Sequence, residues 1–328
     1  MSFIEVKNIS KEFKVNKRSK GIPGMIANMF VPKYEIKKAV QDLSFTIEKG
    51  EMVGFIGPNG AGKSSTIKML SGILCPDKGS ITVNGFIPYK QRKSYVGNIG
   101  VVFGQKSQLQ WDLPVIDSFE LLRAIYRIPK EKYQKNLERF TQMLDMKSFI
   151  NQPVRQLSLG QRMRADIVAS LLHSPEIVFF DEPTIGVDVI GKETIRNFIK
   201  ELNEQDKVTM IFTTHDMQDI EQTCKRLIII DKGSLMYDGS LHEIRSKFGT
   251  SRRLVAEFNE ETTVAPIKEV VIDDLKDRRF SFTFDNNVVD VNMLMKEILG
   301  NYSVHDITVE EPEIESIIQK MYNGEVSV

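Results

Sequence analysis

The stretch Gly57-Pro58-Asn59-Gly60-Ala61-Gly62-Lys63-Ser64 restricts this chain more than any other. Before it, Met52-Val53-Gly54-Phe55-Ile56 reads as a short buried strand; after it, Ser65-Thr66-Ile67-Lys68-Met69-Leu70 reads as a helix. Strand, glycine loop and helix in that order make a cradle for phosphate. Glycines let the backbone turn until several N–H groups and a helix N-terminus converge on one anion. Lys63 is placed to reach β- and γ-phosphates and the Ser64 hydroxyl to ligate Mg2+, with Ser65 beside them. The stretch implies nucleoside triphosphate binding.

A second stretch supplies what such a cradle lacks. Ile177-Val178-Phe179-Phe180-Asp181-Glu182 is four apolar residues closed by two acids. A buried strand that ends in a carboxylate delivers it where α/β sheets place ligand chemistry. Asp181 is expected to hold Mg2+ through water, and Glu182 to polarise an attacking water as general base. Val208–Thr213 repeats the pattern and ends at Thr214-His215-Asp216, where His215 either contacts the γ-phosphate or is structural.

Around these stretches the chain has two parts. Strands are expected at Ser2–Ile9, Asp42–Ile47, Ile81–Val83 and Asn98–Phe103, a helical block over Asp117–Asp145 with a break at Pro129, and a hairpin about Lys232-Gly233. A helix over Leu241–Phe248 closes the first domain, 1–249. The remainder, 250–328, reads as a small α+β module: strands over Leu254–Phe258, Phe280–Phe284 and Tyr302–Val309, helices over Asp290–Leu299 and Pro312–Tyr322.

Lys+Arg and Asp+Glu both total 44, which argues against a general nucleic-acid binder. The balance conceals a split. Lys14 to Lys38 holds seven bases and one acid, whereas Val255 onward holds 16 acids and six bases. The basic insert, about 14–38, carries Met25, Ile26, Met29 and Phe30 at helical spacing. It is either an amphipathic segment for an anionic membrane surface or a loop docked on its own domain. Two cysteines, Cys75 and Cys224, are too few for a disulfide framework or thiolate metal site. No apolar run is long enough to span a bilayer, so a cytosolic chain is expected. Two aromatics upstream of the loop suit stacking on adenine: Tyr34, 23 positions before Gly57, and Phe13, 44 before it. Spacing favours Tyr34.

Taken together, these motifs resemble the ATP-binding-cassette (ABC) ATPases over roughly Ile4 to Gly249. Leu157-Ser158-Leu159-Gly160-Gln161 is similar to the family signature LSGGQ, with Leu159 in place of the first glycine. Gln105 matches the Q-loop glutamine, with Leu109, Leu113 and Val115 following at the family spacing. Asp181 and Glu182 match the Walker B pair, Asp188 the D-loop aspartate and His215 the switch histidine. The resemblance implies an α/β P-loop cassette: a RecA-like core, an antiparallel β subdomain and a helical subdomain over about 106–172. It implies ATP and Mg2+ as ligands, with Gln105 near the metal and Ser158, Gly160, Gln161 and Asp188 meeting the nucleotide of a partner. Two nucleotide-binding subunits, a homodimer or heterodimer, would close on two ATP and drive an integral membrane permease from its cytoplasmic face.

The LSLGQRMRAD wording, the basic insert and the acidic tail are most similar to ATPase subunits of ABC-2-type exporters, the NatA-like, drug, viologen and polysaccharide group. The alternative is a non-transport ABC ATPase acting in regulation, assembly or on nucleic acid. The single cassette, the absence of sustained heptads and the acidic tail argue against it.

Overall fold

The computed structural model describes residues 2–16, 34–104, 106–214, 216–249, 251–310 and 313–325. The amphipathic segment about Met25–Phe30, Gln105 and His215 lie outside the described residues. The chain divides into two compact units, Met1–Asp238 and Gly239–Val328.

In the first unit the elements in chain order are β1 (Ile4–Asn16), β2 (Tyr34–Ile47), β3 (Met52–Ile56), α1 (Lys63–Leu70), β4 (Lys78–Val83), α2 (Arg92–Tyr95) and β5 (Ile99–Phe103). They continue with α3 (Val115–Ile125), α4 (Lys130–Met143), α5 (Leu159–Leu171), β6 (Ile177–Asp181), α6 (Val189–Asp206), β7 (Thr209–Thr213), α7 (Met217–Thr223), β8 (Arg226–Asp231) and β9 (Ser234–Ser240).

Two sheets result. A six-stranded sheet runs β5-β6-β7-β3-β8-β9. Its neighbours from β5 to β8 pair in parallel. Parallel strands are covered on both faces, so they read as continuous apolar runs; Val178, Phe179 and Phe180 of β6 and Met210, Ile211 and Phe212 of β7 are fully buried. The parallel order brings the C-terminal ends of β3, β6 and β7 side by side, where the phosphate loop, Asp181 and Thr213 emerge. The hairpin between β8 and β9 turns on Lys232 (φ 46°) and Gly233 (φ 84°), the left-handed pair that a two-residue hairpin requires.

The second sheet is antiparallel, in the order β2-β1-β4. Here β1 and β2 run further than the sequence suggests. Pairing continues through Phe13 opposite Lys37 to Asn16 opposite Tyr34, so both ends of the basic insert are strand. The polar alternation of Lys11–Asn16 and Tyr34–Lys38 resembles a solvated loop because this ribbon buries little; Tyr34 is 58% exposed.

The second unit contains α8 (Leu241–Phe248), β10 (Ser251–Phe258), β11 (Val270–Asp274), β12 (Arg279–Asp285), α9 (Val291–Asn301), β13 (Val304–Glu310) and α10 (Ile314–Tyr322). Its sheet runs β11-β12-β10-β13, antiparallel throughout. Leu254, Phe258 and Phe282 from the sheet and Leu294 and Ile298 from α9 form its core. Two details differ from the sequence reading. The edge strand β11 is additional; its short acidic run buries little and gives no strand signal. Helix α8 groups with the second unit because it packs against α10, which places the division within β9 and not after Gly249.

Candidate active site

The loop Gly57–Gly62 leaves β3 and enters α1 at Lys63, with Gly60 at φ 86° and Gly62 at φ 108°. Glycine is required twice over at Gly62: an added Cβ would lie 2.4 Å from the Ala39 carbonyl oxygen of β2, in a backbone region L-residues avoid. No side chain caps α1, so its first-turn N–H groups remain directed at the loop cavity. Lys63 is buried, and its ammonium donates to the Gly57 carbonyl at 2.6 Å and the Pro58 carbonyl at 3.2 Å. Burial lowers its pKa, opposed by the fields of Glu182 and Asp181. The ammonium and both acids therefore belong to one electrostatic group.

The acids are positioned by β6 and β7. The Ser64 hydroxyl lies 3.3 Å from Asp181 Oδ1, which also accepts from the Thr213 hydroxyl at 2.8 Å. Glu182 sits in the left-handed region at φ 57°, and its N–H meets both the carbonyl (3.0 Å) and the hydroxyl (3.1 Å) of Thr213. A non-glycine residue held at such a φ marks local strain that the surroundings must enforce. Gly104 completes the enforcement: its N–H donates to the Asp181 carbonyl, and a Cβ there would meet the Glu182 carbonyl oxygen at 2.4 Å. Asn59, Ser64, Gly104, Lys106, Asp181 and Glu182 bound a cavity of about 700 Å³.

The oxygen donors fit Mg2+. A hydroxyl and a carboxylate converge at hydrogen-bond distance, hard ligands of the kind that ion takes together with phosphate oxygens and water. No cluster of three or more His, Cys, Asp or Glu suited to a metal occurs among the described residues. Mg2+ takes one or two carboxylates and completes its shell with substrate phosphates and water.

The signature residues open α5. Ser158 caps α5: its hydroxyl accepts from the Gln161 N–H at 3.2 Å, and the Gln161 side chain accepts from the Ser158 N–H at 2.9 Å. This reciprocal box fixes the helix start, with Gly160 in its first turn. Leu159 packs over Gly186: a Cβ at Gly186 would lie 2.5 Å from Leu159 Cδ2. A Cβ on Gly160 would touch Val187 at 3.4 Å. Asp188 caps α6 by accepting from the Gly191 N–H at 2.7 Å. The structure thus brings Leu159, Gly160, Gly186 and Val187 together, with Asp188 next in the chain.

Two further contacts had no sequence signal. Asp166, buried on α5, accepts from the Ser107 hydroxyl at 2.9 Å and the Gln108 N–H at 3.0 Å. It ties the signature helix to the segment that follows position 105. Asp219 of α7, fully buried, accepts from Thr184 at 2.6 Å and pairs with Arg196 of α6 at 2.7 Å.

The two candidate adenine aromatics are both on the β1–β2 ribbon. Ala39 of β2 touches the loop at Gly62. Phe13 pairs with Lys37, two residues (~7 Å) back along β2, whereas Tyr34 is five residues (~17 Å) away. Register therefore places Phe13 nearer the loop, against the preference from spacing.

With this geometry in view, the comparisons with known proteins agree. The ABC transporter family model matches residues 40–185. The chain is 34% identical over 215 residues to the ABC transporter ATP-binding protein NatA of Bacillus subtilis, covering 66% of this chain and 87% of NatA. It is 30% identical over 292 residues to the linearmycin resistance ATP-binding protein LnrL of the same organism, covering 87% and 93% of the two chains. Among solved structures it is similar to the dimeric, post-hydrolysis ATP-binding cassette MJ0796 with ADP and Pi. That match has a TM-score of 0.62 and 27% identity, and covers 73% of this chain and 98% of the other. The chain belongs to the ABC transporter ATP-binding proteins, and it is an ATPase built on their α/β P-loop cassette.

Proposed function

We propose that this chain hydrolyses ATP as one of two nucleotide-binding subunits that close head to tail and drive a separate integral membrane permease in the export direction. The observation that supports the reading is the grouping of Lys63, Ser64, Asp181 and Glu182, beside a cavity whose lining does not include the signature residues Ser158, Gly160 and Gln161. One subunit then holds half of each ATP site, and a C2 pair completes two.

Lys63 and the loop N–H groups bind the β- and γ-phosphates. Ser64 and Asp181 would hold Mg2+, which would supply positive charge against the phosphates. Glu182 takes the proton from the attacking water, and His215 and Gln105 complete the site. Ser158, Gly160 and Gln161 at the start of α5, with Asp188 at the start of α6, meet the γ-phosphate of the partner's nucleotide. Phe13 stacks on adenine. Because the γ-phosphate is held from both sides only in the closed pair, its loss removes the contact that favours closure. The likeness to a linearmycin resistance protein supports export. No helix among the described residues is long and apolar enough to cross a membrane, which agrees with a membrane partner on another chain.

The test is co-purification from membranes with ATP and the Glu182→Gln variant. A dimer of this chain bound to an integral membrane protein is expected. A monomer that crosslinks to no membrane protein contradicts the proposal.

A further inference from the structure

The phosphate loop, Asp181 and Thr213 stand at the C-terminal ends of the parallel strands. At the opposite end a second cavity, of about 460 Å³, opens between α4 and the segments leading into β3, β6 and β7. Its floor is apolar, formed by Phe140, Leu171 and Leu202. Its rim is cationic: Lys49, Lys132, Lys135, Arg139 and Lys207 face two carboxylates, Glu176 and Asp206.

Both carboxylates are already engaged. Lys49 pairs with Glu176 at 2.6 Å and Arg139 with Asp206 at 2.7 Å. Lys132 donates to the His173 carbonyl at 3.4 Å and, among the described residues, pairs with no carboxylate. Lys135 and Lys207 meet no carboxylate within ion-pair distance among the described residues. Among the described residues these three cations have no ion-pair partner, and their mutual repulsion favours an anion between them. The volume suits a small molecule, within the ~300–1,000 Å³ typical of ligand pockets.

We propose that this cavity binds a phosphate-bearing molecule, with its apolar or flat body on the Phe140–Leu202 floor and its phosphate or diphosphate among Lys132, Lys135 and Lys207. A phosphate suits three separate ammonium groups better than a carboxylate does, because it brings up to two charges and three acceptor oxygens to one point. The occupant bridges α4 to the start of the sheet, and the site is distinct from the ATP site at the other end of the strands.

The test uses the full chain as Glu182→Gln with saturating ATP and excess Mg2+, so that the phosphate loop is filled. Inorganic pyrophosphate is then titrated by calorimetry, and in a parallel arm phosphatidic acid vesicles are floated with the protein against phosphatidylcholine vesicles. One pyrophosphate per chain is expected, bound at least tenfold more weakly after Lys135→Gln with Lys207→Asn and retained after Lys135→Arg. Asparagine tolerates the left-handed φ of 53° at position 207, so the fold is preserved; an unchanged ATP affinity checks this. Binding confined to phosphatidic acid vesicles, and lost in the double variant, assigns the phosphate to a lipid headgroup. Absence of binding in both arms, or equal binding by the double variant, overturns the proposal.

Discussion

The Thr213 hydroxyl donates to Asp181 Oδ1 at 2.8 Å, so the carboxylate that faces Ser64 is held by a residue from the neighbouring strand. The same hydroxyl oxygen accepts from the Glu182 N–H, so one fully buried side chain holds both the Asp181 carboxylate and the Glu182 backbone. Thr213→Val keeps the shape and removes both bonds, while the Thr213 carbonyl still receives the Glu182 N–H. Supporting bonds of this kind are typically worth ~10–100-fold in metal affinity or activity. Mg2+ titration of ATP turnover should shift to higher Mg2+ by about tenfold on that scale. Binding of Mg2+-free nucleotide should be unchanged. An identical Mg2+ dependence in the variant would show that Thr213 has no part in positioning the carboxylate proposed to hold Mg2+.

Glu182 is the residue proposed to accept the proton from water. Glu182→Gln retains size and the strained backbone but cannot act as a base. Turnover should fall ~100-fold or more, the usual range for loss of a general base. ATP affinity should hold, and light scattering should report a dimer in ATP that wild type does not accumulate. Phosphate release at the wild-type rate would remove Glu182 from the role.

How much of this was legible in the sequence depended on how local each feature is. The phosphate loop and the Asp181–Glu182 strand end are read from consecutive residues, because a buried parallel strand must be apolar and the loop must be glycine-rich. The β1–β2 ribbon was under-read, since Lys11–Asn16 and Tyr34–Lys38 pair across an insert and bury little, so the register that sets Phe13 and Tyr34 relative to Ala39 was not visible. Edge strand β11 was missed for the same reason, with Val271 63% exposed. Thr213 and Asp166 could not be found from pattern at all. Their partners are 32 and 59 residues away, and a lone buried threonine or aspartate carries no periodic signal.

Leu159 departs from the family glycine, and its side chain lies over Gly186, where a Cβ would approach Leu159 Cδ2 to 2.5 Å. Gly186 also sits at φ 66°. Gly186→Ala should therefore lose stability twice: ~1–2 kcal/mol for the left-handed backbone and a further part for displacing Leu159. In a Leu159→Gly background only the backbone part should remain, giving a coupling of ~1 kcal/mol between the two positions. Urea denaturation of the four proteins of the cycle measures it. Additive losses would mean that Leu159 moves aside without cost.

Asp166 gives the pH dependence its sign. Burial is the largest influence on its carboxyl and pushes its pKa up to about 6, against the hydrogen bonds from Gln108 and Ser107 and the field of Arg162. In the unfolded chain it titrates near ~3.9. Between those values the folded state binds more protons than the unfolded, so this group's contribution to stability falls as pH rises from about 4 to about 6 and is level above. Asp166→Asn keeps an oxygen to accept from Ser107 and Gln108 and removes the charge. The variant should match wild type near pH 4 and exceed it by up to ~3 kcal/mol at pH 7.5, the energy of a two-unit shift. Urea midpoints across that range test it. Parallel profiles for the two proteins would mean that Asp166 is already charged at the low end, with Ser107 and Gln108 compensating its burial.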